Sequence, residues 1–335
     1  PLICIGGGVF AAHAENEIRE LADLMQIPVI TTMMGISVFP DDDQLFCGMI
    51  GTHGVKMANA AVNECDVLFL VGARVGDRAV KTPLALEKTT KIIHIDIDPA
   101  EIGKNIGADL PLVGDAKLVL QQMTELAKPM KHDEWIAHIK TLGGERKYVE
   151  PAKGTVNPRV FIDRLAKKMP ANVTVVADVG QNQIWTCTEY KFRKEGRLLT
   201  SGGMGTMGYS VPAAIGAKMA DDSRATVAIC GDGAFQMSFM ELATAVQFGV
   251  DIKVVVMTNN RLGMVRELQT NGYHDRQTAV FLDGSPDFIK LAEAYGIPAM
   301  RVYDDDTMEK GVEMLAEHKG ICLVEVVVDK DMPTL

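Results

Sequence analysis

The sequence predicts an α/β protein built from two doubly wound parallel-sheet domains. Short β-rich runs alternate with helical segments in both halves of the chain, and this alternation predicts parallel sheets with helices on both faces. The length of 335 residues favours about two domains, because a domain averages about 150 residues. Glycine-rich turns follow strands in both halves, as ligand-binding turns do in open α/β sheets.

The first half of the chain predicts one sheet, since apolar runs and helical spacing alternate there. Its predicted strands are Leu2–Ile5, Val29–Thr32, Val67–Val71 and Ile92–Ile97, and its helices are Ala11–Met25, Lys56–Asn63 and Lys117–Leu126. A segment rich in proline, glycine and charge follows, with a helix predicted around Glu134–Leu142. We therefore predict a first domain over 1–128, a linker over 129–156 and a second domain over 157–335.

The second half predicts another open α/β sheet, in which ligands bind beyond the carboxyl ends of the strands. Its predicted strands are Val173–Ala177, Ala225–Ile229, Ile252–Met257 and Leu323–Val328, and its helices are Val160–Lys168, Pro212–Met219, Phe239–Phe248 and Phe288–Ala294.

Composition argues against several classes of protein. The net charge of −10 does not suit a nucleic-acid-binding face, and neither a membrane-spanning apolar run nor a signal peptide is expected. The six cysteines form no CxxC pair and are predicted to be reduced core residues of a cytoplasmic protein. Because Pro1 directly precedes an apolar strand, we expect a further segment upstream.

Two of the glycine-rich turns resemble dinucleotide-binding fingerprints but lack an essential part. Gly6–Ala11 fits GxGxxA, yet the next strand has no acid at its end to hold a ribose. A tight turn that contacts phosphate is therefore favoured over an NAD site, and Asp96 is a better candidate for ribose. Gly203–Gly208 reads GxGxxG, but Pro212 in the following helix and the missing acid count against NAD.

The third turn predicts a magnesium diphosphate site. Asp232 follows a predicted strand between Gly231 and Gly233, and Asn259 follows the next strand. One helix and one strand return the chain to the neighbouring strand end, so the two side chains are expected to meet. Carboxylate and amide oxygens suit Mg²⁺, which takes its other ligands from phosphate and water. The alternative is that Asp232 only caps a helix.

These motifs resemble thiamine-diphosphate enzymes, and nearly the whole chain resembles the acetohydroxyacid synthase (acetolactate synthase) large subunit. The resemblance rests on GDG followed by NN, and on runs in both halves. These runs are Asp178–Gln183, Ser201–Tyr209, Pro212–Ala217, Leu262–Arg266, Gly51–Gly54, Gly72–Arg74 and Asp77–Arg78. The resemblance implies a central Rossmann-like FAD-type domain followed by a thiamine-diphosphate-binding domain.

The resemblance also implies roles for individual residues. Magnesium is bound by the side chains of Asp232 and Asn259 and by the carbonyl of Arg261. Gly205 offers its carbonyl to the pyrimidine amino group, and Met207 wedges the cofactor into a bent shape, a proximity effect; these are the catalytic candidates. The cofactor is lined by Val179, Gly180, Gln181, Asn182, Gly205, Met207, Gly233, Ala234, Gly263 and Met264.

For the first domain, the resemblance implies bound FAD in a structural role. The candidate residues are Gly6, Gly7, Gly51, Thr52, His53, Gly72, Ala73, Arg74, Arg78, Asp96 and Asp115. Two of the family's residues differ here, because Gly76 replaces an aspartate and Thr52 a methionine.

The implied activity is the decarboxylation of pyruvate and transfer of its two-carbon unit to a second 2-keto acid, pyruvate or 2-ketobutyrate, in branched-chain amino acid biosynthesis. Leu268 replaces a family tryptophan that shapes the pocket for the second keto acid, which leaves that preference open. A homodimer or tetramer and a small regulatory subunit are also implied.

The family has an upstream domain with a glutamate that activates the cofactor. No glutamate of this chain matches it, and a family C-terminal arm is also not found. We therefore expect these residues alone to be inactive or very weakly active. Alternatives are a related carboligase such as glyoxylate carboligase, a non-catalytic cofactor-binding module, and, less favoured, an NAD-dependent dehydrogenase.

Overall fold

The computed structural model describes residues 1–80, 83–144 and 148–335. The chain divides into two compact units, residues 1–146 and 147–335. Each unit contains a six-stranded sheet whose strands are all parallel, with helices around it. The predicted fold class is therefore confirmed. The predicted domain bounds stay a prediction, and residues 145–147 of the predicted linker lie outside the described residues.

Unit 1, residues 1–146, has the strand order β3-β2-β1-β4-β5-β6. Its strands are β1 (Leu2–Ile5), β2 (Val29–Thr31), β3 (Phe46–Met49), β4 (Val67–Val71), β5 (Lys91–Asp96) and β6 (Leu110–Val113). Its helices are α1 (Gly8–Ala11), α2 (Glu15–Met25), α3 (Lys56–Glu64), α4 (Pro83–Leu86), α5 (Ala116–Leu126) and α6 (Asp133–Thr141). The order reverses between β1 and β4, which is the point where open sheets of this kind form a crevice.

The helix predicted over Ala11–Met25 is confirmed for Glu15–Met25, but its predicted start is wrong, because Ala11 ends α1 and α2 begins at Glu15. His13 lies between them with a φ of 51°, a left-handed conformation that an α-helix cannot contain. Burial on both faces explains why a strand such as β1 was predictable. Leu2 and Cys4 face one core cluster while Ile3 and Ile5 face another, and a strand covered on both faces reads as a continuous apolar run.

Unit 2, residues 147–335, has the strand order β11-β12-β10-β9-β7-β8. Its strands are β7 (Thr174–Ala177), β8 (Arg197–Thr200), β9 (Thr226–Gly231), β10 (Lys253–Thr258), β11 (Ala299–Val302) and β12 (Cys322–Val327). Its helices are α7 (Pro158–Lys168), α8 (Gln181–Glu189), α9 (Ser210–Ala220), α10 (Asp232–Phe235), α11 (Leu242–Phe248), α12 (Gly263–Gly272), α13 (Phe288–Ala294) and α14 (Asp305–Glu317).

Three neighbouring strands of unit 2 position the polar residues predicted from the sequence. β9 pairs with β7 on one side and with β10 on the other, in parallel. Their carboxyl ends therefore lie at one edge of the sheet, where Asp178, Asp232 and Asn259 directly follow them.

Two further sequence expectations concern the whole chain. All six cysteines are buried and free of disulfide bonds, as core residues are expected to be. Among the described residues, none of the helices has both the length and the apolar character needed to cross a bilayer.

Candidate functional site

A cleft opens at the carboxyl edge of β7, β9 and β10 and encloses about 550 Å³ of empty space, part of it open to solvent. Its wall combines loop glycines, polar side chains and apolar side chains. The lining residues are Val179, Gly180, Gln181, Asn182, Trp185, Met207, Gly231, Asp232, Gly233, Ala234, Met257, Asn259, Arg261, Leu262, Gly263, Met264 and Val265. The cleft thus brings together all the predicted metal and cofactor residues of unit 2 except Gly205.

Asp232 is the buried acid of this cleft, with 1% of its surface exposed. One carboxylate oxygen accepts hydrogen bonds from the backbone N–H groups of Asn259 at 3.1 Å and Asn260 at 2.6 Å. The other accepts from the N–H of Gly233 at 2.8 Å. Burial raises the pKa of Asp232 to about 6, although these three N–H groups favour the charged form. A bound divalent cation would offset the desolvation of this carboxylate.

Asn259 and Arg261 line the same cleft as Asp232. The amide oxygen of Asn259 accepts from the N–H of Arg261 at 3.1 Å. The guanidinium of Arg261 turns to Asp283, 2.8 Å away, and lies over the ring of Phe281. The charge of Arg261 is therefore directed toward Asp283, and its main-chain carbonyl remains the candidate ligand. Asn260 between them has a φ of 55°, a conformation that asparagine tolerates better than most residues.

The described residues contain no cluster of three or more His, Cys, Asp or Glu side chains arranged to hold a metal. One carboxylate, one amide oxygen and one carbonyl are instead a donor set for a hard cation that keeps water or phosphate ligands. The chemistry of these three oxygens therefore fits Mg²⁺ with a bound diphosphate.

The amino end of α8 forms the second wall of the cleft. Gly180 precedes it with a φ of 147°, which glycine adopts without strain. The side chain of Asn182 donates to the carbonyls of Asp178 at 2.8 Å and Ile229 at 3.2 Å, and so fixes the helix to β7 and β9. A helix amino end held in this way favours an anion such as phosphate.

The two candidates for the cofactor's rings are placed differently. Met207 lines the cleft and packs against the core of unit 2, near Gly233. Gly205 is exposed and lies outside the cleft wall, with a φ of 68°. The structure therefore brings Met207 together with the metal candidates and leaves Gly205 at the edge.

Sequence reasoning did not assign a role to five of the lining residues, Trp185, Gly231, Met257, Leu262 and Val265, or to Asp178 beside them. Trp185 lines the cleft from α8, and Asp178 is wholly buried and directly precedes the lining residue Val179. The signal for Asp178 was its position after an apolar strand, the same signal that singled out Asp232. Trp185 had no such signal, because α8 was not predicted.

The flavin candidates of unit 1 lie in two groups. Gly6 and Gly72 approach so closely that a Cβ on Gly6 would lie 2.0 Å from the carbonyl oxygen of Gly72. Gly7, Ala73, Asp96 and Asp115 also lie at or just beyond the carboxyl ends of strands in this sheet. Gly51 and Arg78 form the second group, since the N–H of Thr52 donates to the carbonyl of Arg78 at 2.8 Å; His53 follows. Both acids have local partners. Asp115 caps α5 through Leu118, and Asp96 accepts from the N–H of Asp98.

Two family models match the chain. The model of the thiamine pyrophosphate enzyme central domain matches residues 1–123, and the model of the C-terminal TPP binding domain of the same enzymes matches residues 178–326. The second match contains Asp232, Asn259 and the cleft between them.

Curated relatives agree with these matches. The chain is 40% identical over 98% of its length to the probable acetolactate synthase large subunit of Methanocaldococcus jannaschii, and covers 57% of that protein. It is 36% identical to the acetolactate synthase large subunit of Lactococcus lactis, over 98% of the chain and 58% of the relative. It is 38% identical to the acetolactate synthase of Mycobacterium bovis, over 98% of the chain and 55% of the relative. The chain therefore spans somewhat more than half the length of these relatives.

Proposed function

The chain belongs to the thiamine pyrophosphate enzymes, and from this premise we propose that it is the cofactor-binding part of an acetolactate synthase large subunit. The observation that carries the proposal is the contact between Asp232 and the residues at the end of β10. The carboxylate of Asp232 lies 3.1 Å from the backbone nitrogen of Asn259, so both side chains border one cleft. The resemblance of both sequence halves to acetolactate synthases supports the same assignment.

In this proposal, Asp232 and Asn259 bind Mg²⁺ through their side chains and Arg261 binds it through its carbonyl. The amino end of α8 and Gly233 receive the diphosphate, since a Cβ on Gly233 would lie 2.7 Å from Leu262 and narrow the cleft. Thiamine diphosphate supplies the reactive carbon and the electron sink for decarboxylation. The protein supplies orientation, and Met207 supports the cofactor beside the metal.

We extend the proposal to FAD in unit 1. The strand order, with its reversal between β1 and β4, supports a dinucleotide at this edge. The turns that carry Gly6 and Gly72 meet at this reversal, and the exposed guanidinium groups of Arg74 and Arg78 suit phosphate. Flavin absorbance in the purified protein, retained on gel filtration, is the expected result; a colourless protein that takes up no FAD would contradict it.

The proposed substrates are pyruvate and a second 2-keto acid, in a homodimer or tetramer with a small regulatory subunit in the cytoplasm. Leu268 lies exposed on α12, where it offers no aromatic ring to the second keto acid. Pyruvate is therefore expected to compete well with 2-ketobutyrate for this position. The 335 residues alone are expected to bind cofactor without significant turnover.

Calorimetry with thiamine diphosphate tests the proposal directly. We expect binding to the 335-residue chain in the presence of Mg²⁺ and loss of binding in excess chelator, because the diphosphate is bound through the cation. Binding that is equally tight without a divalent cation would contradict the clamp. Product analysis on the full-length protein with pyruvate, alone and with 2-ketobutyrate or glyoxylate, separates acetolactate synthase from related carboligases.

A further inference from the structure

The side chain of Gln181 lies buried between Asn259 and the segment 329–335, and only 4% of its surface is exposed. Its Oε1 accepts a hydrogen bond from Nδ2 of Asn259 at 3.2 Å. Its Nε2 donates to the carbonyl of Met332 at 2.9 Å and to the hydroxyl of Thr334 at 3.1 Å. Gln181 therefore connects the metal candidate Asn259 with a segment that follows the last strand of the sheet.

The partners of Gln181 determine which way its amide points. Its nitrogen also lies 3.3 Å from the carboxylate of Glu267. A carbonyl and an ionised carboxylate only accept hydrogen bonds, so the NH₂ group must face Met332 and Glu267. The oxygen of Gln181 must then face Asn259.

The orientation of Gln181 in turn determines the orientation of Asn259. Because Oε1 of Gln181 is an acceptor, the amide nitrogen of Asn259 faces it. The amide oxygen of Asn259 then lies at the other end, where it accepts from the N–H of Arg261. An amide oxygen has two lone pairs, so the one that remains is available to a cation.

Thr334 is fixed as firmly as Gln181, with 3% of its surface exposed. Its N–H lies 3.1 Å from the carboxylate of Glu267, and its hydroxyl also donates to that carboxylate. Next to it, the indole N–H of Trp185 donates to the carbonyl of Pro333 at 3.1 Å, and Arg159 donates to the carbonyl of Thr334 at 2.7 Å. The segment is thus built into the back of the cleft wall.

We propose that Gln181 is a positioning residue, held by Glu267 and Thr334 so that it presents the amide oxygen of Asn259 to the magnesium diphosphate group. This inference rests on the proposed function of the cleft. It couples the docking of segment 329–335 to cofactor binding, and such coupling is reciprocal. Bound cofactor is therefore expected to slow hydrogen exchange at the N–H of Thr334.

Substitutions at Thr334 test the coupling without touching the cleft. Thr334→Val keeps the shape of the side chain and removes the hydroxyl, whereas Thr334→Ser keeps the hydroxyl. We expect the valine variant to bind thiamine diphosphate with Mg²⁺ about fivefold or more weakly by calorimetry, and the serine variant to bind like the parent. Asp331→Asn is the control. Asp331 lies in the same segment as Thr334 but pairs with Arg266 of α12, and it makes no hydrogen bond to Gln181 among the described residues. Equal affinities of the parent and the valine variant would overturn the proposal, as would an equal loss in the control.

A measurement on the ligand-free chain keeps this test separate from the proposed function. The side-chain amide of Asn259 is followed by NMR with ¹⁵N-labelled asparagine and assigned with Asn259→Asp. We expect its resonance to shift and its exchange with water to accelerate in Thr334→Val but not in Thr334→Ser. If the parent chain binds no thiamine diphosphate, the proposed function of the cleft fails, and this measurement still decides the role of Gln181. An unchanged resonance in the valine variant overturns it.

Discussion

The carboxylate of Asp178 accepts a hydrogen bond from the backbone N–H of Gly208 at 3.0 Å. Its other oxygen accepts from the N–H of Ser210 at 2.7 Å, and the side chain has no exposed surface. Asp178 thus fixes the end of β7 to the turn that carries Met207. Gly208 has a φ of 84° in that turn, so the glycines of the GxGxxG run shape a loop beside the cleft.

Replacing Asp178 should loosen this turn. In Asp178→Asn, an amide nitrogen replaces a carboxylate oxygen that accepts a backbone N–H group in the parent. Two donors would then face each other, and one buried N–H group would lose its hydrogen-bond partner. We expect the free energy of unfolding to fall by about 1–3 kcal/mol and the affinity for magnesium and thiamine diphosphate to fall with it. Urea unfolding and calorimetry measure the two effects.

Asp221→Asn is the matched control for this substitution. Asp221 also accepts a hydrogen bond from a backbone N–H group, that of Ser223, but its side chain is exposed at the end of α9. A change within about 0.5 kcal/mol is expected there. If both variants lost the same stability, the buried position of Asp178 would have no special importance.

Asp232→Asn should separate cofactor binding from folding. The substitution removes the only carboxylate among the lining residues of the cleft. We therefore expect Mg²⁺-dependent binding of thiamine diphosphate to weaken by at least about a hundredfold. This loss exceeds the loss expected when a residue that only supports a metal ligand is replaced. The circular dichroism spectrum should remain that of the parent chain. Calorimetry with and without Mg²⁺ measures the loss.

The control for Asp232 is the carboxylate that pairs with another lining residue of the cleft. Asp283 pairs with the guanidinium of Arg261, so Asp283→Asn releases that side chain and leaves the main chain of Arg261 in place. Binding within about twofold of the parent is expected if Arg261 acts through its carbonyl. A large loss in Asp283→Asn would mean that the guanidinium takes part instead.

The elements and the metal pair that were predicted without the family resemblance share a local signal. β1, β4 and α13 were predicted with their observed bounds, because apolar runs or helical spacing mark them. Asp232 and Asn259 were paired in the prediction because each follows a buried strand, and neighbouring parallel strands bring their ends together.

The elements that sequence reasoning missed lack that signal or carry it weakly. All nine residues of α8 are buried, so its polar sequence has no amphipathic period to detect. β6 is mostly exposed and has no clear apolar run. The contact between Glu267 and Thr334 joins residues 67 positions apart, and no local pattern indicates such a pair. α14 differs from these elements, because Asp304 at its N-cap was a readable signal for the start of a helix.

His94 should make the stability of unit 1 depend on pH. Its side chain is buried in β5 with 1% exposed, and desolvation lowers its pKa, which the charges of Asp96 and Glu101 oppose in part. The unfolded chain binds a proton on this ring at a pH of about 6.5. Stability should therefore be lost as the pH falls through that value and be retained above it.

Thermal unfolding of parent and His94→Leu between about pH 8 and pH 5 measures this effect. The leucine variant should lose less stability on acidification than the parent, because it has no proton to take up. His318→Leu is the control, since His318 is half-buried at the end of α14 in unit 2. An equal acid dependence in the parent and His94→Leu would show that His94 is not responsible.

Gly263 and Gly272, at the two ends of α12, should respond oppositely to alanine. A Cβ on Gly263 would lie 1.9 Å from Oε1 of Gln181 and 3.1 Å from Nδ2 of Asn259, so Gly263→Ala must displace the amide that holds Asn259.

At Gly272 a Cβ would meet no atom within 4 Å. Gly272→Ala is expected to stabilise the chain by up to about 1 kcal/mol, because alanine favours the helix, without changing cofactor binding. Gly263→Ala is the same substitution at the other end of α12. It is expected to bind magnesium and thiamine diphosphate at least about tenfold more weakly than the parent. Equal binding by the two variants would mean that the space beside Gly263 is not needed to position Gln181.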